Sequence, residues 1–256
     1  MLKLVASRVW VATSATWSTT STVVVAEDGA ALVVDPALTP VELTSLAREI
    51  VERGWRVVAA FSTHPHWDHV LWTSALPEVP RWATAPAAAW TAANPELLAA
   101  QAEADLPGHR WEVIGGTTAL PDDATELPWP GPRAVLIPAS GHAVGHAGLW
   151  LPDDGVYLAG DMLSDTEVPL LDTGLPDPVG TYRRTLGELA GVISEATVVV
   201  PGHGTPADRD EARRRLAADQ RYLDELHAST DPRLASDLMR VEHRQQLAEL
   251  GPRAAW

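Results

Sequence analysis

Short runs of β-branched residues, separated by polar turns, occupy the first part of the chain. Ser21–Val25 and Ala31–Val34 predict two strands, and the polar turn between them, Glu27-Asp28-Gly29, is typical of a hairpin. Thr39-Pro40 predicts the start of a helix, because threonine caps helices and proline fits their first turn. This helix is expected to end near Arg53, since Gly54 follows.

The remaining apolar patterns predict a further alternation of strands and helices. The alanine-rich stretch from Ala83 to Gly108 predicts helix, interrupted at Asn94-Pro95. The other predicted strands are Arg56–Phe61, Ala134–Pro138, Gly148–Leu151, Val156–Ala159 and Thr197–Val200. The other predicted helices begin at Asp177-Pro178, at about Asp208 and at about Asp231, and the last two end near His227 and Leu250.

The first residues of the chain predict a β-strand and not an export signal. Val5, Val9 and Val11 follow a strand-like alternation, and Arg8 interrupts the apolar run that a signal peptide requires. No stretch reaches the roughly 18 uncharged apolar residues of a membrane span. We therefore expect a cytoplasmic protein with no membrane partner.

The charge and the missing cysteine narrow the possible chemistry. The 256 residues carry 19 Lys and Arg against 34 Asp and Glu, a formal net charge of −15. Such an acidic surface repels phosphate backbones, so we expect no nucleic-acid partner. The chain contains no cysteine, which excludes disulfides, iron–sulfur clusters, thiolate nucleophiles and sulfur-containing metal sites.

Histidine and aspartate residues cluster where the predicted strands end. The segment after Phe61 reads His64-Pro65-His66-Trp67-Asp68-His69, and three further candidates, His142, Asp161 and His203, each follow a different predicted strand. Imidazole nitrogen and carboxylate oxygen are natural ligands of Zn²⁺ and similar ions where cysteine is absent. Because open α/β sheets bind ligands at the carboxyl ends of strands, this arrangement predicts a metal site.

The chain resembles the metallo-β-lactamase superfamily on these residues. His64–His69 matches the family signature H-x-H-x-D-H, and three later elements follow in the family's order: Ser140-Gly141-His142, Gly160-Asp161 and Pro201-Gly202-His203-Gly204. The resemblance implies an α/β fold of four layers, an αβ/βα sandwich with the metals at one edge. We expect residues 1–256 to form a single domain of this fold, with its C-terminal helices at about 208–250.

The resemblance also implies a ligand set for two divalent ions, Zn²⁺ in the first place, with Mn²⁺ or iron as alternatives. The first ion would take His64, His66 and His142, and the second would take Asp68, His69 and His203, with Asp161 bridging the two. A hydroxide shared by two such ions attacks a carbonyl or phosphoryl centre. Asp68 and Asp161 are also candidates for moving a proton to the leaving group.

Several substrate classes stay open at this point. A small ester, lactone or thioester is favoured, because β-lactamases of the family usually lack the bridging aspartate that Asp161 would supply. Ser164 stands where the family's signal lactonases commonly carry tyrosine, and no lysine-rich motif typical of glutathione binding follows His203. β-Lactam hydrolysis and an iron-dependent oxidoreductase remain alternatives, and a non-catalytic binding module is a third.

Some further residues are predicted to support the site or the substrate. His146 matches a family histidine that usually supports the site without binding metal. The candidates for an apolar pocket for a small-molecule substrate are Trp17, Trp67, Trp72 and Tyr182. The spacing of Leu234, Leu238, Val241 and Leu247 predicts one apolar face on the last helix, which packs within the monomer or contributes to a homodimer.

Overall fold

The computed structural model describes residues 1–36, 39–109 and 113–251. Two large β-sheets make up its centre. The first has seven strands in the spatial order β1-β2-β3-β4-β5-β7-β9, which are β1 (Lys3–Ala6), β2 (Val9–Thr13), β3 (Thr20–Val25), β4 (Ala30–Val34), β5 (Arg56–Phe61), β7 (Arg81–Ala83) and β9 (Thr118–Ala119). Strands β1 to β4 pair antiparallel, whereas β4, β5, β7 and β9 run parallel.

The second sheet has five strands in the order in which they occur along the chain. They are β10 (Val135–Pro138), β11 (Ala147–Leu151), β12 (Val156–Gly160), β13 (Val198–Pro201) and β14 (Ala207–Asp208). Strand β12 pairs parallel with β13, and the other neighbours pair antiparallel. A separate two-stranded ribbon joins β6 (Leu71–Trp72) to β8 (Val113–Ile114).

The helices cover the outer faces of the two sheets. They are α1 (Pro40–Glu52), α2 (Ala85–Ala93), α3 (Pro95–Asp105), α4 (Pro178–Glu195), α5 (Arg209–Asp224) and α6 (Asp237–Leu250). Short 3₁₀ turns occur at Trp67–His69, Leu226–Ala228 and Pro232–Ala235. None of the described helices is both long enough and apolar enough to cross a membrane.

Alternation along the strands divides the core into layers. In β3, Val24 points into the cluster between the two sheets, where it joins Leu149 and Leu158 of the second sheet. Its neighbours Val23 and Val25 point the other way, into the cluster that contains the buried face of α1. A third cluster packs α4 and α5 against the outer face of the second sheet. The predicted αβ/βα sandwich is therefore confirmed.

Most predicted elements agree with the structure to within a few residues. Helix α1 begins with the expected cap, because the Thr39 side chain accepts from the backbone N–H of Glu42 while the Glu42 carboxylate accepts from Thr39. The prediction of one first strand is incomplete. The chain turns after Ala6, so β1 and β2 form a hairpin.

The predicted apolar face of the last helix packs only in part within the monomer, where Leu234 and Leu247 contact the core. Leu234 lies in the 3₁₀ turn and not in a helix, because α6 begins only at Asp237. Leu238 and Val241 are 39% and 49% exposed, whereas Leu247 packs against the core. The side chains that α6 buries are Met239 and Gln246.

Candidate metal centre

The residues that the sequence singled out stand in loops at the carboxyl ends of four strands. These loops follow β5, β10, β12 and β13, and they carry His64, His66, Asp68, His69, His142, Asp161 and His203. The two sheets meet at this edge, where the backbone N–H of Thr20 at the start of β3 donates to the carbonyl of Gly202 over 2.7 Å. The stacking of the sheets therefore brings the four loops together.

Four of these residues form what we call the first group: His64, His66, His142 and Asp161. Nδ1 of His66 lies 3.0 Å from Nε2 of His64 and 3.2 Å from Nε2 of His142. Oδ2 of Asp161 lies 3.3 Å from Nε2 of His64 and 3.4 Å from Nε2 of His142. Three nitrogen atoms and one carboxylate oxygen thus converge on one point.

The second group consists of Asp68, His69 and His203. Oδ2 of Asp68 lies 3.2 Å from Nε2 of His203 and 3.5 Å from Nε2 of His69. The two imidazole Nε2 atoms are 3.3 Å apart. All three residues are buried, so these donor atoms converge away from bulk water.

The Asp161 carboxylate lies between the two groups. Its Oδ2 faces His64 and His142, and its Oδ1 lies 3.2 Å from Nε2 of His69. Oδ1 is buried without a hydrogen-bond partner among the described residues. A buried carboxylate oxygen left unpartnered is costly unless a cation neutralises it, so this atom fits a metal ion.

The second ring nitrogen of several histidines is held by another group. Nδ1 of His142 lies 2.9 Å from the carbonyl oxygen of Leu170, and Nδ1 of His203 lies 3.1 Å from that of Trp17. A carbonyl only accepts, so each Nδ1 carries a proton, and Nε2 is left as the ring atom that can face a metal ion in its group. Trp17 reaches His203 from a left-handed backbone conformation, with φ of 56°.

Asp35 lies beside both groups, and no sequence pattern predicted it. It directly follows β4, and its carboxylate accepts from Thr63 N over 2.9 Å and from Thr63 Oγ1 over 2.7 Å. Its Oδ2 also lies 3.1 Å from Nδ1 of His69. Because the Thr63 hydroxyl donates its hydrogen bond to Asp35, its Oγ1 is left to accept from Nδ1 of His64 over 3.0 Å. In the sequence, the feature that could have identified Asp35 is its position directly after a predicted strand.

The histidines of the site fall into two sets according to the direction in which their pKa values shift. Burial lowers the pKa of His64 well below its ordinary value and that of His66 to about 3, so both are neutral ligands. Burial opposes charge on His69 and His203 as well, but nearby carboxylates, Asp161 first, raise the pKa of each well above its ordinary value. A metal ion bound by His69 and His203 must therefore displace protons.

The carboxylates of the site are ionised. Burial alone would raise the pKa of Asp68 and Asp161, yet the surrounding histidines, His69 first, lower both well below their ordinary value. Once His69 and His203 have each given up a proton, the buried imidazoles and ionised carboxylates have the donor chemistry that Zn²⁺, Mn²⁺ and Fe²⁺ accept. The residues present therefore fit two divalent ions.

Glu167 is a further acidic residue at this site that the sequence analysis did not single out. Its side chain is 15% exposed, and Oε1 lies 3.5 Å from Nδ1 of His203. It also groups with Asp161 and His203 at a distance suited to a cation. Burial raises the pKa of its carboxyl to about 7, although His203 opposes this. No spacing links Glu167 to the histidine signature, so only the folded chain identifies it.

His146 packs beside the first group without joining it. Its ring centroid lies 5.2 Å from that of His64 and 5.6 Å from that of His142. Its Nδ1 lies 2.8 Å from the carbonyl oxygen of Ala139. Burial lowers the pKa of His146 to about 3, so its position agrees with a supporting role.

The structure places the four pocket candidates differently from one another. Trp72 and Tyr182 are 2% and 1% exposed within two different core clusters, so their indole and phenol rings face protein. Trp67 is also buried, and its Nε1 donates to Asp105 over 2.8 Å. Trp17 packs edge-on against Trp67 and is only partly buried. Of the four, Trp17 is the one whose side chain is not buried.

Comparison with known proteins agrees with this geometry. Residues 15–203 match the family model of the metallo-beta-lactamase superfamily. A hydroxyacylglutathione hydrolase from Ruegeria pomeroyi is 29% identical over 163 residues, which cover 63% of this chain and 54% of that protein. One from Cereibacter sphaeroides is 32% identical over 154 residues, covering 60% and 51%. The matched regions thus span about half the length of these relatives.

Solved structures show the same fold at low sequence identity. A metallo-beta-lactamase family protein from Thermus thermophilus superposes with a TM-score of 0.67 at 23% identity, covering 94% of this chain and 91% of that one. A beta-lactamase domain protein from Burkholderia ambifaria superposes with a TM-score of 0.66 at 19% identity, covering 88% and 74%. At this identity the likeness supports the architecture alone.

Proposed function

Since the chain belongs to the metallo-beta-lactamase superfamily, we propose that it is a hydrolase that uses two divalent metal ions to cleave a small ester, lactone or thioester. In this proposal the first ion is held by His64, His66 and His142, the second ion by Asp68, His69 and His203, and both by Asp161. Zinc is the favoured metal.

The position of the Asp161 carboxylate carries this proposal. One of its oxygens points to the first group at 3.3 and 3.4 Å, and the other lies 3.2 Å from His69 of the second group. A carboxylate that faces two sets of metal ligands is suited to hold two cations close together, since it offsets their mutual repulsion. The buried Oδ1 has no hydrogen-bond partner among the described residues, so it is free to contact a second cation.

The residues of the chain bind, orient and shield the reacting groups. When bound, two such ions supply a hydroxide at neutral pH and polarise the substrate carbonyl. Leu170 and Trp17 orient His142 and His203 through their main-chain carbonyl groups. Asp68 and Asp161 are ionised, because neighbouring histidines keep the pKa of each low against the effect of burial, so either carboxylate is available to accept a proton during the reaction.

The relatives favour an acyl substrate. The two hydroxyacylglutathione hydrolases are named for the hydrolysis of acylated glutathione, which is a small thioester. Activated thioesters and esters share an electrophilic carbonyl and a good leaving group, which suits attack by hydroxide. We therefore place a thioester first among the substrate classes.

A hydrolysis panel on the metal-loaded protein tests this proposal. The panel contains thioesters, esters, lactones, β-lactams and phosphodiesters, and the metal content of the same sample is measured. We expect two ions per chain and turnover of thioesters or esters, with Asp161→Asn strongly impaired. Asp210→Asn is the matched control, since Asp210 is 78% exposed on α5. Turnover restricted to β-lactams or phosphodiesters, or a single bound ion, would contradict the proposal.

A further inference from the structure

Residues 163–171, which we call the site loop, lie between Asp161 and helix α4 and contain no helix or strand. One side of this loop touches the metal centre at three points. The carbonyl of Leu170 lies 2.9 Å from Nδ1 of His142. Ser164 Oγ donates to the carbonyl of His203 over 2.7 Å, and Glu167 Oε1 lies 3.5 Å from Nδ1 of His203. The loop therefore contacts one histidine of each group.

The other side of the site loop is bound by Arg233. Its Nη1 donates to the carbonyl of Glu167 over 2.8 Å and to the carbonyl of Ser164 over 3.1 Å. The same nitrogen donates to Asp219 Oδ1 over 2.7 Å, and Nε and Nη2 donate to the two carboxylate oxygens of Asp231. The Arg233 side chain is 8% exposed, so these bonds form in a largely dry environment, where they orient strongly.

Gln246 of helix α6 binds the far end of the loop. Its Oε1 accepts from the backbone N–H of Leu171 over 2.7 Å, and its Nε2 donates to the carbonyl of Pro169 over 3.2 Å. Gln246 is buried, and Nε2 also donates to the hydroxyl of Tyr222 over 3.0 Å. These bonds fix both neighbours of Leu170, whose carbonyl orients His142.

The site loop needs such support because its own backbone is irregular. Leu163 adopts a left-handed conformation with φ of 63°, which is unfavourable for a residue with a side chain when nothing else compensates. Its N–H is bound by the buried carboxylate of Asp219. The loop is thus held in place by side chains from outside it.

We propose that Arg233 and Gln246 are positioning residues of the metal centre, Arg233 acting on His203 through Glu167 and Ser164, and Gln246 acting on His142 through Leu170. Both residues lie beyond residue 203, where the match to the family model ends. The C-terminal segment is then a working part of the site, with one residue serving each metal group. This inference rests on the proposed function for the existence of the two metal groups.

Two substitutions remove the contacts of Arg233 and Gln246 with the site loop selectively. Arg233→Lys keeps the positive charge but loses the planar fork that reaches several oxygens at once. Gln246→Leu keeps the approximate size but removes both hydrogen-bonding atoms. Loss of a group that orients a metal ligand typically lowers metal affinity about 10- to 100-fold. We expect Arg233→Lys to weaken the second ion and Gln246→Leu to weaken the first.

Arg8→Met provides the matched control. Arg8 donates to Asp154 over 3.1 Å, and this pair is partly buried, with side-chain exposures of 30% and 0%. Arg8 lies in the turn between β1 and β2, and Asp154 lies in the turn between β11 and β12. That second turn is at the end of β12 opposite to Asp161. Arg8→Met should lower thermal stability without changing either metal affinity, so it separates a general loss of stability from a loss of positioning.

The experiment titrates metal-free full-length protein with zinc in a calorimeter and with cobalt, whose absorption spectrum reports ligand geometry. Folding of each variant is verified first by circular dichroism. If Arg233→Lys does not fold, Glu167→Gln alters the side-chain contact with Nδ1 of His203 and leaves the ion pair between Arg233 and Asp219 intact. A cycle of Glu167→Gln and Arg233→Lys should be non-additive in second-ion affinity, because both act on the same histidine.

The possible results separate this inference from the proposed function. The inference would be overturned if the folded variants kept the wild-type metal affinities and an unchanged cobalt spectrum. The variants in question are Gln246→Leu together with Arg233→Lys or its substitute Glu167→Gln. The two-metal site would then remain in place. A wild-type protein that fails to bind two ions would overturn the proposed function itself. Site-selective weakening in the variants, with Arg8→Met unaffected, would support both.

Discussion

Oδ2 of Asp35 lies 3.1 Å from Nδ1 of His69, which connects the end of β4 to the second metal group. The backbone of Asp35 is left-handed, with φ of 46°, a conformation that costs about 1–3 kcal/mol for a residue other than glycine. The carboxylate also accepts two hydrogen bonds from Thr63. The two bonds from Thr63 hold the Asp35 carboxylate beside His69, whose charged form it favours electrostatically.

Replacing this carboxylate should weaken the second metal group. In Asp35→Asn the amide keeps the size of the side chain but loses the charge and one acceptor oxygen. We expect the affinity for the second ion to fall about 10- to 100-fold, as for other groups that orient a metal ligand. Zinc titration measures this, with Asp123→Asn, at an exposed position, as the control. Equal second-ion affinity in Asp35→Asn and wild type would show that Asp35 does not orient His69.

Asp161→Asn should be the most damaging of the conservative changes. The amide has a neutral donor on one side, so it compensates poorly for two adjacent cations. We expect the second ion to be lost first and turnover to fall by at least about 10²-fold, the scale of losing a preorganised electrostatic group. Elemental analysis and steady-state kinetics measure the two effects. A variant that keeps two ions and near-native turnover would exclude Asp161 as the bridge.

Removal of metal should abolish activity reversibly. The described residues offer no cysteine nucleophile, and the proposed hydrolysis depends on bound ions. We expect exhaustive chelation to stop turnover and lower the midpoint of thermal unfolding, because a ligand bound to the native state stabilises it. Adding zinc or manganese should restore both properties. Full activity after metal loss has been verified by elemental analysis would refute the mechanism.

Glu42 should stabilise the fold in a pH-dependent way. Its carboxylate accepts from Thr39 N, Thr39 Oγ1, Ser14 Oγ and Ala15 N, which joins α1 to the loop that carries Trp17. Burial would raise the pKa of Glu42, but these hydrogen bonds lower it below its ordinary value of 4.5. Because the folded pKa is the lower one, the stabilisation is present above pH 4.5 and is lost as the pH falls through the folded value.

We therefore expect Glu42→Gln to lower the free energy of unfolding by about 1 kcal/mol at neutral pH, as for loss of other helix caps. The difference from wild type should shrink towards zero as the pH falls below the lowered pKa of Glu42 in the folded protein. Urea unfolding of the metal-free proteins measures it. Glu52→Gln on the same helix is the control, since that side chain is 67% exposed. A difference that is independent of pH would mean that the carboxylate charge contributes nothing.

Gly160 should not tolerate a side chain. Its φ is +56°, and an added Cβ would meet Nε2 of His146 and, at 2.9 Å, Oγ1 of Thr63. We expect Gly160→Ala to lower the free energy of unfolding by about 1–3 kcal/mol, from backbone strain alone. Gly187→Ala in α4 is the matched control, and it should raise the free energy of unfolding. Nothing lies within 4 Å of its added Cβ, and alanine favours helix over glycine by about 1 kcal/mol. Equal unfolding free energies for Gly160→Ala and wild type would contradict this account.

The amino-acid sequence by itself determined the elements and the placement of the metal-binding candidates. Thr39 and Pro40 specify the start of α1 locally, because the cap and the first turn involve residues within three positions of each other. His64, His66 and His69 lie in one short segment after β5, and His142, Asp161 and His203 each come within four residues of the end of a strand. Strand ends of α/β sheets converge, so this pattern can be interpreted without knowing the sheet order.

Only the tertiary structure decided which residues support that centre. Asp35 lies 28 positions from Thr63, Trp17 lies 186 from His203, and Arg233 lies 66 from Glu167. Such contacts follow no helical or strand period, since they depend on how the two sheets stack and where the C-terminal helices dock. Packing also decided the exposure of Leu238 and Val241. Their spacing predicts a shared apolar face, but both side chains remain exposed on α6, which begins at Asp237. Local periodicity determines which face a residue occupies, but packing determines which face is covered.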